Sequence, residues 1–303
     1  MEKFFTNKKN SILVSIFAMV LWGSAIPLIK LTYQHIDTGI GDTGSKILLA
    51  GLRFFLAGLL SFIYYYIIEN KAKTKEINEK LNIKTILILA LLQTFLQYLF
   101  YYIGLSNTEG SKASVIQASN AFFSVIIAVL FIADEFLTKR KVLALILGTV
   151  GILIVNFNGL GEFSFSLRGE GFVIMSTLFG ALANAFLRKY GKNYNSFSLT
   201  ASQFVLGSIP LIIIGKITAK QEFAIDGIII LYLLYGAFIS ATAFSLWSLV
   251  LKYNQASEFS IYKLFIPIFG TIFSIIFLKE ALTLRLILGL IFVLLGSRIL
   301  NKK

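Results

Sequence analysis

Runs of Leu, Ile, Phe and Val about twenty residues long alternate with short polar gaps along nearly the whole chain. Ten windows stand out, at about 11–30, 46–68, 84–105, 112–133, 141–157, 170–187, 198–215, 228–250, 257–278 and 284–300. A helix rises ~1.5 Å per residue, so each window is near the ~20 residues that cross ~30 Å of hydrocarbon. The longest polar stretch, Glu69 to Lys84, reads as a loop, and no window reads as a soluble domain. The pattern predicts an all-α integral membrane protein with ten transmembrane helices.

Composition agrees. Of 303 residues, 57% are hydrophobic and 14% charged, and the mean hydropathy is +0.81; soluble domains carry roughly 25% charged residues. The absence of cysteine excludes disulfides, thiolate catalysis and cysteine metal sites. The one histidine, His35, falls in a predicted loop without partners for a metal, and no cofactor is expected. Gly23-Ser24-Ala25 has the look of a signal-peptide cleavage site, but the apolar run continues past it, so the first window is expected to remain a span.

The formal charge of +13 sits in the gaps between apolar runs, where it orients a membrane chain rather than binding nucleic acid. With the N-terminus inside, inside segments hold eighteen Lys and Arg and outside loops hold eight, with Arg53 and Lys263 left in spans. Positive residues favour the cytoplasmic side, so both termini are expected there. Usage rich in Ile, Lys, Phe and Asn points to an A/T-rich bacterial genome and hence to the bacterial inner membrane.

The chain is also written twice. A shift of 145 residues lays "DEFLTKRKVLALILGTVG", ending at Gly151, on "KEALTLRLILGLIFVLLG", ending at Gly296, so that Glu135, Leu137 and Thr138 meet Glu280, Leu282 and Thr283. "LAGLRFFLAG" lies on "LTASQFVLGS", and "LWGSAIPL" on "LFGALANA", at slightly longer offsets. The predicted units are 1–158 and 159–303, each with five spans. Five is odd, so the second unit is expected to enter the membrane upside down, the arrangement by which many carriers build two alternative openings around one midplane site.

These residues resemble the drug/metabolite transporter superfamily, specifically its EamA type. The pattern is P-x-F-G-x3-S followed by F-L-x-E-x-L-T: Pro267, Phe269, Gly270, Ser274, then Phe277, Leu278, Glu280, Leu282 and Thr283. The first half carries a degraded copy, with Phe122 where the proline would stand; "LWGSAIPLIK" and Arg53 in "LRFFLAG" are similar to the first- and second-span signatures. The resemblance implies a permease with a central cavity between the halves, lined by spans one to four and six to nine. It says almost nothing about cargo.

Polar side chains inside spans are expected to point away from lipid. Ser260, Lys263, Pro267, Thr271 and Ser274 form one stripe on the ninth span, where Pro267 should kink the helix and free the Lys263 carbonyl. Gln93, Gln97 and Tyr101 follow one another on the third span, Gln117, Asn120 and Ser124 on the fourth, and Asn184 sits on the sixth. Two readings are open for these amides: cavity lining, or hydrogen bonds that glue helices together. Arg53 and Lys263 have a further alternative, snorkelling to the headgroups. Taken as substrate-binding, the candidates are Trp22, Arg53, Gln93, Gln97, Tyr101, Gln117, Asn120, Asn184 and Lys263; as hinge or gate, Pro27, Pro267, Glu135 and Glu280. For the two glutamates the plainer role is capping, or pairing with Arg140 and Arg285.

All fifteen acidic residues fall in loops or at the ends of windows, as Glu170 and Glu258 do, and no His or Cys falls within one, which argues against an intramembrane enzyme and against export of organic cations. The expected function is secondary transport, as an exporter, of small amphipathic metabolites such as amino acids or other carboxylates by alternating access. The alternatives are a non-transporting interaction or signalling protein, or a carrier of nucleotide sugars or lipids on the same fold. No G-x4-G-K-[ST] motif supplies ATP chemistry, so energy is expected from a gradient or exchange. A homodimer is left open.

Overall fold

Short polar side chains at the ends of the apolar runs start the helices. Asp42 accepts the Ser45 N–H at 3.1 Å, Asn82 that of Lys84 at 2.9 Å, Asn195 that of Phe197 at 2.9 Å and Asp226 that of Ile229 at 2.8 Å. Each satisfies a donor that the first helical turn leaves orphaned. The computed structural model describes residues 2–36, 42–72, 82–131, 136–158, 162–190, 194–221, 224–254 and 259–301.

The elements are α1 (Glu2–Phe5), α2 (Lys8–Ile36), α3 (Thr43–Ala72), α4 (Ile83–Leu89), α5 (Gln97–Ser106), α6 (Gly110–Gln117), α7 (Ser119–Phe131), α8 (Lys139–Asn156), α9 (Phe172–Tyr190), α10 (Ser196–Thr218), α11 (Gly227–Tyr253), α12 (Phe265–Leu278) and α13 (Leu284–Asn301). Two short antiparallel strands, β1 (Phe157–Asn158) and β2 (Glu162–Phe163), follow α8. Among the described residues, six helical stretches are long and apolar enough to cross a membrane: Lys8–Ile36, Thr43–Ile67, Ile83–Ser106, Leu167–Leu187, Phe197–Thr218 and Gly227–Val250. The windows at 112–133, 141–157, 257–278 and 284–300 coincide with helices that are shorter or interrupted.

The interruptions are specific. α4 passes into α5 through a π-helical segment, Ala90–Leu96, that contains Gln93. Such wide turns are rare and concentrate at functional sites. The fourth window breaks at Ala118, between α6 and α7, and the ninth opens as a 3₁₀ turn, Ser260–Leu264, before α12. A shift of 145 residues superposes Ala118 on Lys263, so both windows are interrupted at the same place although only the second has a proline. By contrast, α2 runs on through Pro27 without a break.

Contacts at the loop ends define two ends of the helix set. At the far end His35 Nε2 lies 2.7 Å from Asp226 Oδ2, Asp42 accepts from the backbone N–H groups of Lys220 and Gln221, and Thr108 donates to Glu170 at 2.6 Å. At the near end Phe5 stacks on Tyr253, and Asn254 donates to the Phe5 carbonyl at 3.0 Å. His35 is therefore a helix residue with a carboxylate partner, a correction to the expectation of a solvated loop position. Burial disfavours the Asp42 carboxylate, yet the donors of Ser45, Lys220 and Gln221 outweigh it and hold its pKa below the usual carboxylate value. A lowered folded-state pKa means the tie is fully present above the unfolded value of about 3.9 and is lost as pH falls through the lower folded value. Asp42→Asn should abolish that part of the acid sensitivity of thermal unfolding between pH 5 and pH 3, on the order of these carboxylate pKa values.

α3 packs along α10, and α8 along α13. α2 lies against α11 and α12, while α9 lies against α5 and α7; α6 meets α12. At the α8–α13 crossing a Cβ on Gly151 would stand 2.7 Å from the Gly289 carbonyl, and one on Gly296 would stand 2.7 Å from the Ala144 carbonyl. Gly289→Val would drive its Cβ to 2.1 Å from Val155 Cγ2; such overpacking costs about 1–3 kcal/mol. A lowered Tm in detergent, restored in part by Val155→Ala, is the expected result.

Many exposed side chains are large and apolar, among them Leu13, Ile63, Ile213, Leu231 and Ile276, while Arg53, Gln93, Gln203, Ser240 and Ser274 are buried. Apolar outside and polar inside is the distribution that a lipid solvent selects.

Candidate functional site

Arg53 is only 5% exposed and fully engaged. Its Nε donates to the Gly236 carbonyl at 3.0 Å, Nη1 to the Tyr102 hydroxyl at 3.2 Å and Nη2 to Ser240 Oγ at 3.0 Å, with the guanidinium 5.4 Å from the Phe54 ring centroid. Gly236 has no side chain because the Arg53 stem lies where a Cβ would reach, 3.0 Å away. Gly236 and Ser240 are thus the receptor for a cation. A cavity of about 20 Å³, room for one water, adjoins Arg53, Tyr33, Tyr102 and Tyr232. The arginine ties α3 to α11 and α5 near the far end.

The amides gather at a second place. Asn120 donates to the Thr177 carbonyl at 2.9 Å and accepts from Asn184 Nδ2 at 3.3 Å. Ser119 Oγ and Thr177 Oγ1 are 2.8 Å apart. A Cβ on Gly180 would meet both Asn120 Nδ2, at 2.8 Å, and Gln97 Oε1, at 3.0 Å, so these groups crowd one point between α5, α7 and α9. Gln117 reaches the Tyr101 hydroxyl. Gln97 Oε1 and Gln93 Oε1 are buried with no hydrogen-bond partner among the described residues, and so is Gln203 Oε1, the position that "LTASQFVLGS" aligns with Arg53. Unpaired buried carbonyl oxygens cost about 1–3 kcal/mol each. Asn120 and Asn184 act as glue between helices; Gln97 keeps an acceptor in reserve.

The third place is aromatic and cationic. Trp22 meets Phe244 edge-on at 5.2 Å and Trp247 at 6.3 Å between ring centroids. Lys263 Nζ stands 5.2 Å from the Trp247 centroid. Lys263 is surrounded by protein on most sides, yet its side chain is exposed. Among the described residues no carboxylate lies within ion-pair distance of it. Tyr64 and Thr242 pair their hydroxyls at 2.9 Å, and the neighbouring Ser245 Oγ is buried with no partner among the described residues.

Glu280 lies at the far end. Lys279, ending α12, has φ 56, a left-handed conformation that non-glycine residues seldom adopt. The turn sends Glu280 back onto the N-terminus of α6, where its carboxylate accepts from Gly110 N at 2.7 Å and Ser111 N at 2.8 Å, with Lys30 Nζ at 4.0 Å. Negative charge at a helix N-terminus is favoured by the orphan N–H groups and the helix dipole. The expected pairing with Arg285 is not what occurs: Arg285 donates instead to the Phe157 carbonyl at 2.5 Å. Glu135 lies outside the described residues. The threonines of the repeated motif have a plain role, since Thr138 caps α8 and Thr283 caps α13. On α12, Pro267, Gly270, Thr271 and Ser274 are buried, and Ser114 Oγ of α6 donates to the Pro267 carbonyl at 3.0 Å.

The sequence pattern of the EamA-like transporter family matches residues 9–157 and, separately, 167–302. The chain belongs to that family. Among relatives, an uncharacterized transporter of Archaeoglobus fulgidus is 26% identical over 96% of this chain and 98% of its own length. The uncharacterized transporter YvbV of Bacillus subtilis is 28% identical over 98% and 93%. A Salmonella typhimurium protein named "Probable amino-acid metabolite efflux pump" is similar at 21% identity over 93% and 92%. A crystal structure of another protein matches with a TM-score of 0.67 at 15% identity, covering 97% of both chains, a likeness of fold. A multi-pass membrane transporter is thus the setting for the three polar places above.

Sequence reasoning missed Tyr102, Phe244, Thr177 and Lys30. It also missed an aromatic ladder, Tyr262, Phe265, Phe269 and Phe273, stacked along one side of α12 and the turn before it. The three- and four-residue spacing of those rings was a signal; Thr177 and Lys30 offered none.

Proposed function

We propose that this family member is a secondary carrier that exports small, carboxylate-bearing amphipathic solutes across the bacterial inner membrane by alternating access. The observation that carries the reading is Lys263: an exposed cation in an apolar window, set against Trp247, which in turn meets Trp22, with no carboxylate within ion-pair distance among the described residues. A charge within the membrane is expensive, so an anionic cargo would complete the site. The rings would take the apolar part, and Gln97, Gln117 and Tyr101 would orient the rest by hydrogen bonds.

In this reading the chain makes ten passes as two inverted units, 1–158 and 159–303, with the near end and both termini cytoplasmic. The reciprocal packing supports it. After a shift of 145 residues the Gly151–Gly289 contact becomes the Gly296–Ala144 contact. The α2 pair with α11 and α12 has its counterpart in the α9 pair with α5 and α7. Arg53 and Glu280 would form a far-end closure, while Gln203, the counterpart of Arg53, leaves its Oε1 without a partner among the described residues. The cavity would therefore open toward the cytoplasm, with Pro267 and the Ala118 break as bending points and Glu135 as the counterpart latch.

The test is counterflow in proteoliposomes preloaded with a panel of aryl and alkyl carboxylates, zwitterionic amino acids and organic cations. Accelerated exchange of carboxylates but not cations is expected. Exchange of cations alone would overturn the cargo assignment, and no exchange of any class would favour a non-transporting role.

A further inference from the structure

Behind the amide cluster, α7, α8 and α9 enclose a cavity of about 290 Å³. Phe123, Ile152, Leu153 and Ile174 supply apolar walls, and Ser119 and Asn156 the polar ones. Leu153 is 49% exposed and Thr149, also on the lining, is exposed, so the cavity opens on the outer surface of the helix set, where lipid is the solvent. It follows the last two turns of α8, roughly 10 Å at helical rise, to the far end.

Three cations stand at that end. Arg285 holds the carbonyl of Phe157, the residue after Asn156; Lys112 Nζ donates to Ser164 Oγ at 3.2 Å, one residue before Phe165 on the lining; Arg168 is exposed three residues beyond Phe165. The Glu170 carboxylate is engaged by Thr108 and the Ser166 N–H. Asn156 adds a second observation. It is 1% exposed, its Nδ2 donates to the Ile152 carbonyl, and its Oδ1 has no partner among the described residues. An apolar slot, a basic rim and one free acceptor match an acyl chain, a phosphate and a headgroup hydroxyl.

We propose that this crevice binds a membrane phospholipid of the phosphatidylglycerol type, one acyl chain in the slot, its phosphodiester at the basic rim and a glycerol hydroxyl donating to Asn156 Oδ1. The slot backs directly on the break in the fourth window. Ser119 begins α7 just after Ala118 and shares its hydroxyl with Thr177, whose carbonyl holds Asn120. A chain wedged there bears on the bend at Ala118, so occupancy would favour one setting of that bend.

The test uses the full chain in vesicles and does not depend on transport, so it can succeed or fail whatever the cargo proves to be. With Thr149→Trp as reporter over the constant background of Trp22 and Trp247, quenching by dibrominated phosphatidylglycerol should exceed that by dibrominated phosphatidylcholine about fivefold in apparent affinity, the worth of one rim cation. Asn156→Leu and Arg168→Gln should each erase the preference. Equal quenching by both lipids would mean ordinary boundary lipid and would overturn the proposal, as would no quenching. Native mass spectrometry of the unaltered protein gives an independent reading: retained phosphatidylglycerol that falls by one molecule in Asn156→Leu supports the site, and an unchanged count refutes it.

Discussion

Lys263→Ala is expected to raise the half-saturation concentration for carboxylate exchange by about ten- to a hundredfold, the loss of a charge-assisted contact worth roughly 1.5–3 kcal/mol. The effect should be on binding more than on folding. Lys263 is exposed and, among the described residues, has no carboxylate partner, so its removal orphans no protein group. Truncation even relieves the cost of an intramembrane charge, and Tm should hold or rise. Lys263→Arg keeps the charge and should retain part of the exchange, whereas Lys263→Met keeps the stem over Trp247 and should behave like alanine. If Lys263→Met exchanges carboxylates with unaltered half-saturation, the cation does not meet the cargo. Trp247→Leu separates the two halves of the contact: cargo with large rings should lose affinity and small carboxylates should not.

Glu280→Ala should unlatch the far end. The substitution removes two charge-assisted hydrogen bonds from the N-terminus of α6 and the nearest carboxylate from Lys30. Each such bond is worth about 1.5–3 kcal/mol, and part returns as water reaches the freed N–H groups. A net shift of about 3 kcal/mol away from far-end closure would change the ratio of closed to open molecules by roughly a hundredfold. The chain has no cysteine, so a single engineered thiol reports access directly. Ser24→Cys, half-buried beside Tyr235, should react with a membrane-impermeant maleimide only from the near side in the parent chain. In Glu280→Ala it should react from the far side as well. Glu280→Gln, which keeps an acceptor but loses the charge, should fall between them. Far-side reactivity that does not change in Glu280→Ala would leave Glu280 as a cap and nothing more.

The legibility of this chain divides along a physical line. Hydrophobic periodicity and charge act locally, so the apolar windows, the duplicated motif, the threonine caps and the two intramembrane cations could all be read from residue types and spacing. Helical spacing also put Gln97 with Tyr101, and Asn120 with Gln117, on shared faces. It could not say which helix each face meets. Arg53 and Lys263 looked equivalent in the sequence, both cations about seven residues into an apolar run. The fold hands Arg53 three acceptors on α5 and α11, two of them more than 180 residues away, and leaves Lys263 exposed over Trp247.

Glu280 shows the same limit from the other side. The sequence placed it in a loop just past the ninth window, where capping or pairing with Arg285 was the plain expectation. The left-handed turn at Lys279 and the packing of α12 on α6 carry it instead to backbone donors 170 and 169 residues earlier. By itself the sequence determined that the chain lives in lipid, that it is a doubled module, and which polar groups are costly enough to need a reason. Only the tertiary structure decided which of those groups are satisfied by one another and which are left over, because a hydrogen bond is settled by distance between helices and not by position along one.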